Sequence, residues 1–211
     1  MKIIEPSVEL IPQVPAADLL RSLERFGRTC YKSESRISED SAEEFVRRIV
    51  ARGHGAVLEH GVISARFICD RGVSHELVRH RLSSYCQEST RYCNYSKQVF
   101  GNEITVIKPL FFAPGSAAWD TWYNGCLAAE KAYFDLLACG CTAQEARAVL
   151  PHSLKTEVVM TANITEWRYV TKLRTSQAAH PQMREIMIPL LDKLTEYAPV
   201  LFQDIKEGLN R

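Results

Sequence analysis

The chain is 211 residues long, enough for one sizeable domain or two small ones. Its 46% hydrophobic and 24% charged residues match an ordinary soluble globular protein. A formal net charge of +1 excludes a global field able to hold DNA, RNA or an acidic membrane, so any anion must be met by a local pocket.

Seven cysteines, at 30, 69, 86, 93, 126, 139 and 141, are odd in number and irregular in spacing. That argues against a disulfide scaffold and for reduced thiols. Cys139-Gly140-Cys141 is not a CxxC, and no second pair completes a zinc site. The opening MKIIEPSVELIPQ has acidic residues and prolines where a signal peptide needs an apolar core, so a cytoplasmic location is expected. No window approaches the roughly 18 apolar residues of a membrane span.

In chain order, residues 2–11 read as a short strand ahead of Pro12, and 16–29 as a helix. Ser41-Ala42-Glu43-Glu44 reads as a capping box. It opens a helix with Ala42, Phe45, Val46, Ile49 and Val50 on one stripe, ended by Gly53. GVISARFIC, 61–69, alternates and is β-branched, which predicts a strand. Residues 73–84 predict a helix with Ser74 as N-cap, and 103–108 a strand stopped by Pro109. The segment 116–138 predicts a long helix with Trp119, Trp122, Tyr123, Cys126, Tyr133, Leu136 and Leu137 buried. Thr142 caps a helix through 150 that Pro151 closes. A strand over 154–162 and a helix over Ile164–Leu173 follow. A last helix starts near Pro181, a good first-turn residue, and runs to about 198 with a kink at Pro189. There is no βαβ regularity, repeat or linker, so the expectation is one α+β domain spanning 1–211.

The stretch RHRLSSYCQESTRY, 79–92, gathers Arg79, His80, Arg81 and Arg91 among hydroxyl side chains. On a helix Glu76, Arg79 and His80 share a face, as do His80 and Ser84. Guanidinium forks match phosphate oxygens and uracil-like carbonyls, and serine hydroxyls add donors, so the composition suits a phosphorylated small molecule. The plainer alternative is a solvated helix with ion pairs from Glu76 to Arg79 or His80 and from Glu88 to Arg91. Arg147, Arg168 and Arg174, set beside apolar residues, weigh against it. No P-loop and no GxGxxG is present, so a nucleotide would bind outside the usual glycine-rich loops. His54, Glu59 and His60 lack the HExxH spacing, and no metal site is expected. Cys86 could be drawn as a thiolate beside the arginines, but with six other cysteines a buried or incidental thiol is the simpler reading.

Arg79-His80-Arg81, seven residues, then Ser89 forms an RHR-x7-S pattern, which closely resembles the signature of the flavin-dependent thymidylate synthases. His54 with Glu59-His60 before it, Arg91-Tyr92 after it, and EARAVLP (145–151), TANITEW (161–167), LRT (173–175) and AHPQMRE (179–185) are similar to the family's further blocks, so the resemblance covers about 40–190. It implies an α+β fold with a mainly antiparallel sheet packed by helices. It implies reductive methylation of dUMP to dTMP, with methylenetetrahydrofolate as carbon donor, NADPH as reductant and FAD as hydride relay. It also implies a homotetramer whose active sites are shared between subunits.

By position, the resemblance implies that Arg79 touches both dUMP and FAD, and that His80 and Arg81 hold FAD. Ser89 and Arg91 take the dUMP phosphate, Gln87 lies between the ligands, and Arg147 contacts dUMP. Arg174 sits against the uracil, where a fixed guanidinium would draw negative charge onto the ring oxygens. His54 and Asn163 approach the flavin, and His180 lines the flavin or folate side. Ala56 stands where the family has Ser or Thr. Glu76 stands where Gln is common beside dUMP, and Tyr169 where a polar residue contacts FAD. Gln87-Glu88 occupies a position where Glu-Leu also occurs. Two other readings are a nucleotide- or nucleic-acid-binding module, with Tyr85 and Tyr92 as stacking residues, and an inactive homologue. The near-neutral charge argues against the first, and the joint presence of Arg79, Arg81, Ser89, Arg91, Arg147 and Arg174 against the second.

Overall fold

In a computed structural model, which describes residues 1–209, the chain opens with two strands where the sequence suggests one. Strand β1 (Lys2–Ile4) and strand β2 (Ser7–Pro12) are separated by Glu5 and Pro6, and proline has no N–H for a ladder. Helix α1 (Ala16–Tyr31) follows as expected. Helix α2 (Ser41–Ala51) buries Ala42, Phe45, Val46 and Ile49, four of the predicted stripe. Its N-cap is Asp40, and the expected capping box does not form. Ser41 Oγ is turned back to Ser38 N–H and to Glu24 instead. Gly53, at φ +68°, takes the left-handed conformation just beyond the helix, which glycine adopts without strain. Helix α3 (Gly55–Leu58) and strand β3 (Val62–Asp70) come next.

The helix expected over 73–84 is the main departure. Helix α4 (Arg71–Leu77) begins earlier, because Asp70 and not Ser74 accepts the capping bond from Val73 N–H at 2.7 Å. It ends at Leu77, and the chain turns extended into strand β4 (Ser83–Gln87). His80 and Ser84 therefore share no helix face. Strand β5 (Thr105–Ile107) and helix α5 (Ala117–Ala138) follow, the latter capped by Ser116. Of its seven predicted inward residues Cys126 and Tyr133 are buried, while both tryptophans are half-buried. Thr142 forms the capping box of helix α6 (Ala143–Ala146) with Glu145, and a 3-10 turn over Arg147–Val149 completes that segment. Strand β6 (Lys155–Asn163) leads into helix α7 (Ile164–Arg174). Helix α8 (Pro181–Tyr197) has Pro181 in its first turn and Pro189 inside it, and helix α9 (Pro199–Leu209) is an element the sequence reading left out.

The strands form a four-stranded antiparallel sheet of order β2-β3-β6-β4 and a parallel β1-β5 pair with Lys2 opposite Thr105. The chain divides into two compact units. The first holds Met1–Ser7, Phe67–Arg79 and Cys86–Val158, and its core is Tyr95, Ile104, Val106, Cys126, Tyr133, Ala146 and Leu154. The second holds, among the described residues, Val8–Arg66, His80–Tyr85 and 159–209. Its buried side chains include Leu23, Ile63, Ile164, Trp167, Met183, Leu194 and Phe202.

One close approach places α7 within the second unit. A Cβ on Gly61 would lie 2.9 Å from the Leu19 side chain and 3.0 Å from that of Ile164, so a larger residue here would push those side chains of α1 and α7 aside. The Gly61 carbonyl accepts from Ile164 N–H at 2.9 Å, and Trp167 Nε1 donates to the Ile63 carbonyl at 2.9 Å. Among the described residues, no helix is long and apolar enough to cross a membrane, and no three His, Cys, Asp or Glu side chains gather to hold a metal ion. All seven cysteines are free, and Cys86 is exposed rather than buried.

Candidate active site

The predicted site residues fall into two local groups, one in each unit. In the first unit, β4 delivers Gln87 next to a turn formed by Ser89, Thr90 and Arg91. Gln87 Nε2 donates to Ser74 Oγ at 3.0 Å and to Thr156 Oγ1 at 3.2 Å, so α4 and β6 fix its amide. The Ser89 carbonyl accepts from the N–H of both Tyr92 and Cys93, and Ser89 Oγ accepts from Arg91 N–H at 3.3 Å. Arg91 is exposed, with its guanidinium 5.6 Å from the Tyr92 ring centroid. Arg147, from the 3-10 turn after α6, donates to Thr90 Oγ1 at 3.3 Å. The fold thus brings two guanidiniums and two hydroxyls, separated by 58 residues of chain at most, to one turn. Glu76 is half-buried on α4, and Arg79 is exposed just past the helix end.

Glu88 does not pair with Arg91, as the ion-paired-helix alternative supposes. Its carboxylate bonds to Lys155 at 2.8 Å and accepts from Tyr95 O–H at 3.3 Å, and Lys155 also reaches Glu157 at 2.5 Å. Lys155 is raised in pKa. Its burial alone would lower it, but two carboxylates hold the proton on.

In the second unit the centre is His80, which is 6% exposed. Its Nε2 stands 3.0 Å from Arg174 Nε, and its Nδ1 stands 3.7 Å from a Glu166 carboxylate oxygen. Its carbonyl accepts from Tyr85 O–H at 2.7 Å, and the Tyr169 ring meets it edge-on with centroids 6.2 Å apart. An arginine donates and never accepts, so Nε2 must offer its lone pair and the ring proton belongs on Nδ1, facing Glu166. Burial and then the charge of Arg174 push the pKa of His80 down to about 4. The ring is therefore neutral near pH 7, and the Glu166 contact is made by an N–H rather than by an imidazolium. Burial raises the Glu166 carboxyl.

Helix α7 arranges this group. Asn163 caps it, its side-chain oxygen accepting from Glu166 N–H at 2.8 Å. Glu166, Val170 and Arg174 then recur at every fourth residue, one face of a helix. Arg174 ends the helix, where the dipole favours a cation. His54 precedes α3 and lies 3.1 Å from Tyr31 Oη, and the adjacent Gly55 carbonyl accepts from Thr165 Oγ1 at 2.9 Å, which ties this segment to the start of α7. Tyr169 is exposed and lines a cavity of about 870 Å³ with Lys172, Arg184 and Ile188. Arg81 and His180 are exposed, the latter just before α8. Arg168, grouped with Arg147 and Arg174 in the sequence, is bound to Asp204.

Sequence reading missed Glu166 and Tyr31, and it offered Tyr85 only as a stacking residue, not as the donor to the His80 carbonyl. The four-residue spacing of Glu166 to Arg174 was a usable signal for the first. Nothing local marks the other two, because their partners are set by packing.

A solved structure with this fold is that of the UMP/dUMP methylase PolB from Streptomyces cacaoi bound with 5-Br dUMP. It matches with a TM-score of 0.77 at 20% identity over 98% of this chain and 97% of that one. The flavin-dependent thymidylate synthase of Mycobacterium tuberculosis (strain ATCC 25177 / H37Ra) is 33% identical over 209 residues, 93% of this chain and 84% of that protein. The enzyme of the same name from Pyrococcus furiosus is 28% identical over 172 residues, 81% of this chain and 70% of that protein. Residues 10–200 match the family described as thymidylate synthase complementing protein, and the chain belongs to that family.

Proposed function

We propose that the protein is a flavin-dependent thymidylate synthase that methylates dUMP to dTMP. The observation that carries this reading is the guanidinium of Arg174, a cation held on a neutral ring at a helix end. Methylation at C5 of uracil needs negative charge drawn onto the ring oxygens. A guanidinium fixed in place stabilises that charge without having to reorganise or move a proton.

The turn of Ser89, Thr90 and Arg91, with Arg147, has the donor set for the dUMP phosphate: two guanidiniums and two hydroxyls. Gln87, Glu76 and Arg79 complete the nucleotide contacts. The residues also suit a flavin dinucleotide, because the exposed guanidiniums of Arg79 and Arg81 offer forked donors for a pyrophosphate. His54, Asn163, Tyr169 and His180 would line the flavin ring and its neighbour folate. FAD, when bound, supplies the hydride relay; methylenetetrahydrofolate supplies the carbon and NADPH the reducing equivalents. The chain's own residues orient and polarise, and no protein nucleophile is needed. The working form is a cytoplasmic homotetramer with active sites shared between subunits, acting without nucleic acid, membrane or metal.

The test is NADPH oxidation by the purified protein with FAD, with and without dUMP. Oxidation that accelerates with dUMP, and dTMP among the products, supports the reading. Oxidation indifferent to dUMP would leave only a flavin reductase.

A further inference from the structure

Glu88 immediately precedes the turn of Ser89, Thr90 and Arg91, and a free carboxylate there would oppose the phosphate that the turn is proposed to hold. We propose that Lys155 is a positioning residue for this turn: it holds the Glu88 carboxylate against β6 and offsets its charge, which leaves Arg91 and Arg147 to the substrate phosphate. The inference rests on the proposed function for what the turn binds, but not for where Glu88 is held.

Strand alternation separates Gln87 from its neighbour. Gln87 meets Thr156 on one face of the sheet, while Glu88 meets Lys155, the residue before Thr156, on the other. Glu88 N–H donates to the Glu157 carbonyl at 2.9 Å, so the pairing with β6 runs one residue past β4 and fixes where this side chain leaves the sheet. Lys155 Nζ stands 2.8 Å from the Glu88 carboxylate and 2.5 Å from that of Glu157. Tyr95 O–H, from the core of this unit, donates to Glu88 at 3.3 Å. The Glu88 side chain is only 13% exposed. Without Lys155 it would keep one neutral hydroxyl, too little for a carboxylate so poorly solvated, and it would turn to another cation. Arg91 lies three residues on, exposed, and is bonded to no carboxylate among the described residues.

The field of Glu88 already reaches the turn. Cys93, whose N–H donates to the Ser89 carbonyl, has its thiol raised by burial and then by the charge of Glu88, while Lys155 acts in the opposite sense. The same field acts on an anion bound by Ser89 and Arg91. Paired with Lys155 it is offset; unpaired, it would repel phosphate and compete for Arg91. An ion pair that only pinned β4 to β6 would lower stability when broken and leave phosphate affinity alone.

Two measurements on the full-length protein test this. The first is dUMP affinity by calorimetry. In Lys155→Met we expect it to fall about tenfold at low salt, the scale of one charge-assisted contact. Relative to the unsubstituted protein the loss should shrink to about threefold at about 0.5 M salt, where the freed carboxylate is screened. Lys155→Arg keeps the charge, and Lys155→Met combined with Glu88→Gln removes the carboxylate that Lys155 holds. Each should bind dUMP within about twofold of the unsubstituted protein. If Lys155→Met does not fold, Lys155→Gln, which keeps a donor but not the charge, takes its place with an expected loss of about fivefold. Unchanged dUMP affinity at a lower melting temperature would reduce the pair to a contact of the fold. A double variant as weak as the single one, or a loss indifferent to salt, would also overturn the inference. The second measurement is a crystal structure of the same single variant without ligands. We expect the Glu88 carboxylate turned onto Arg91; a carboxylate still against β6, or on another cation, would overturn the inference. If the unsubstituted protein binds no dUMP, the proposed function fails, and the crystal structure still decides whether Lys155 keeps Glu88 off Arg91.

Discussion

Arg168 and Arg174 stand six residues apart on one helix, and one bonds a carboxylate while the other bonds an imidazole. Arg168 gives two parallel bonds to Asp204, at 2.8 and 2.6 Å, and a third to the Leu201 carbonyl. Its charge is offset, and the Asp204 carboxyl is held below its usual range mainly by that bond. Arg174 gives its Nε–H to the neutral imidazole of His80 at 3.0 Å. The first unit repeats the contrast. Lys155 lies between Glu88 and Glu157, whereas Arg147 rests on the hydroxyl of Thr90. A cation held by two carboxylate oxygens is spoken for by the fold, whereas a guanidinium bonded to a neutral acceptor can also serve a ligand, and the two arginines of α7 allow that distinction to be tested.

The sharpest test of that distinction is Arg174→Ala. It should abolish dTMP formation, a loss of about 1000-fold or more, since preorganised charge is among the largest single contributions to catalysis. Gel filtration should show the same assembly as the unsubstituted protein. Loss of that assembly would make Arg174 a structural residue and dissolve the contrast.

The next effect in size is the dependence of stability on pH. His80 has a folded pKa of about 4 against the ordinary 6.5, so between those values the unfolded ring takes up a proton that the folded ring refuses. Unfolding free energy should therefore fall as pH drops from about 6.5 to about 4 and level off below, by at most about 3 kcal/mol. Glu166, whose carboxyl is raised, works in the opposite direction, since its folded form takes protons earlier than the unfolded one. Urea midpoints measured across this range for the unsubstituted protein and for His80→Gln isolate the ring. If the two curves run parallel, His80 is not neutralised by its surroundings.

Much of this was legible in the sequence, and the failures share a cause. The stripe of α2, the alternation of β3 and the capping Thr142 are local patterns, and each gave its element. The RHR segment was misread as helix because Arg79 and His80 continue a plausible helical pattern. What ends α4 at Leu77 is the pairing of β4 in the sheet, a contact with distant residues that periodicity cannot register. The same holds for the site. The arginines were recognisable by spacing and resemblance, but not their partners. Asp204 for Arg168, Thr90 for Arg147 and Glu166 for His80 lie between 36 and 86 positions away, and only tertiary packing selects them. Asp70 replaces Ser74 as cap because the helix begins a turn earlier, where the Asp70 carboxylate accepts from Val73 N–H.

Arg168→Met should do the reverse of Arg174→Ala. Asp204 is about half exposed, so its pair with Arg168 is screened by solvent, and the expected loss is about 1–2 kcal/mol including the Leu201 carbonyl. A lower melting temperature with nearly unchanged kcat would sharpen the contrast. A collapse of kcat at unchanged stability would show that a quenched arginine can still be functional.

The smallest effect belongs to Ser89. Its Oγ accepts from Arg91 N–H, a bond that uses a lone pair and leaves the hydroxyl proton able to point at a ligand oxygen. In Ser89→Ala the turn survives, because the Ser89 carbonyl still accepts from Tyr92 and Cys93. The loss is one donor to a phosphate that Arg91 and Arg147 continue to hold, about 1 kcal/mol or roughly a fivefold weaker affinity. Calorimetry should find dUMP weakened and FAD unaffected. Equal weakening of both ligands would mean that the turn supports the flavin as well, and the division between a phosphate turn and a separate ring-polarising arginine would have to be redrawn.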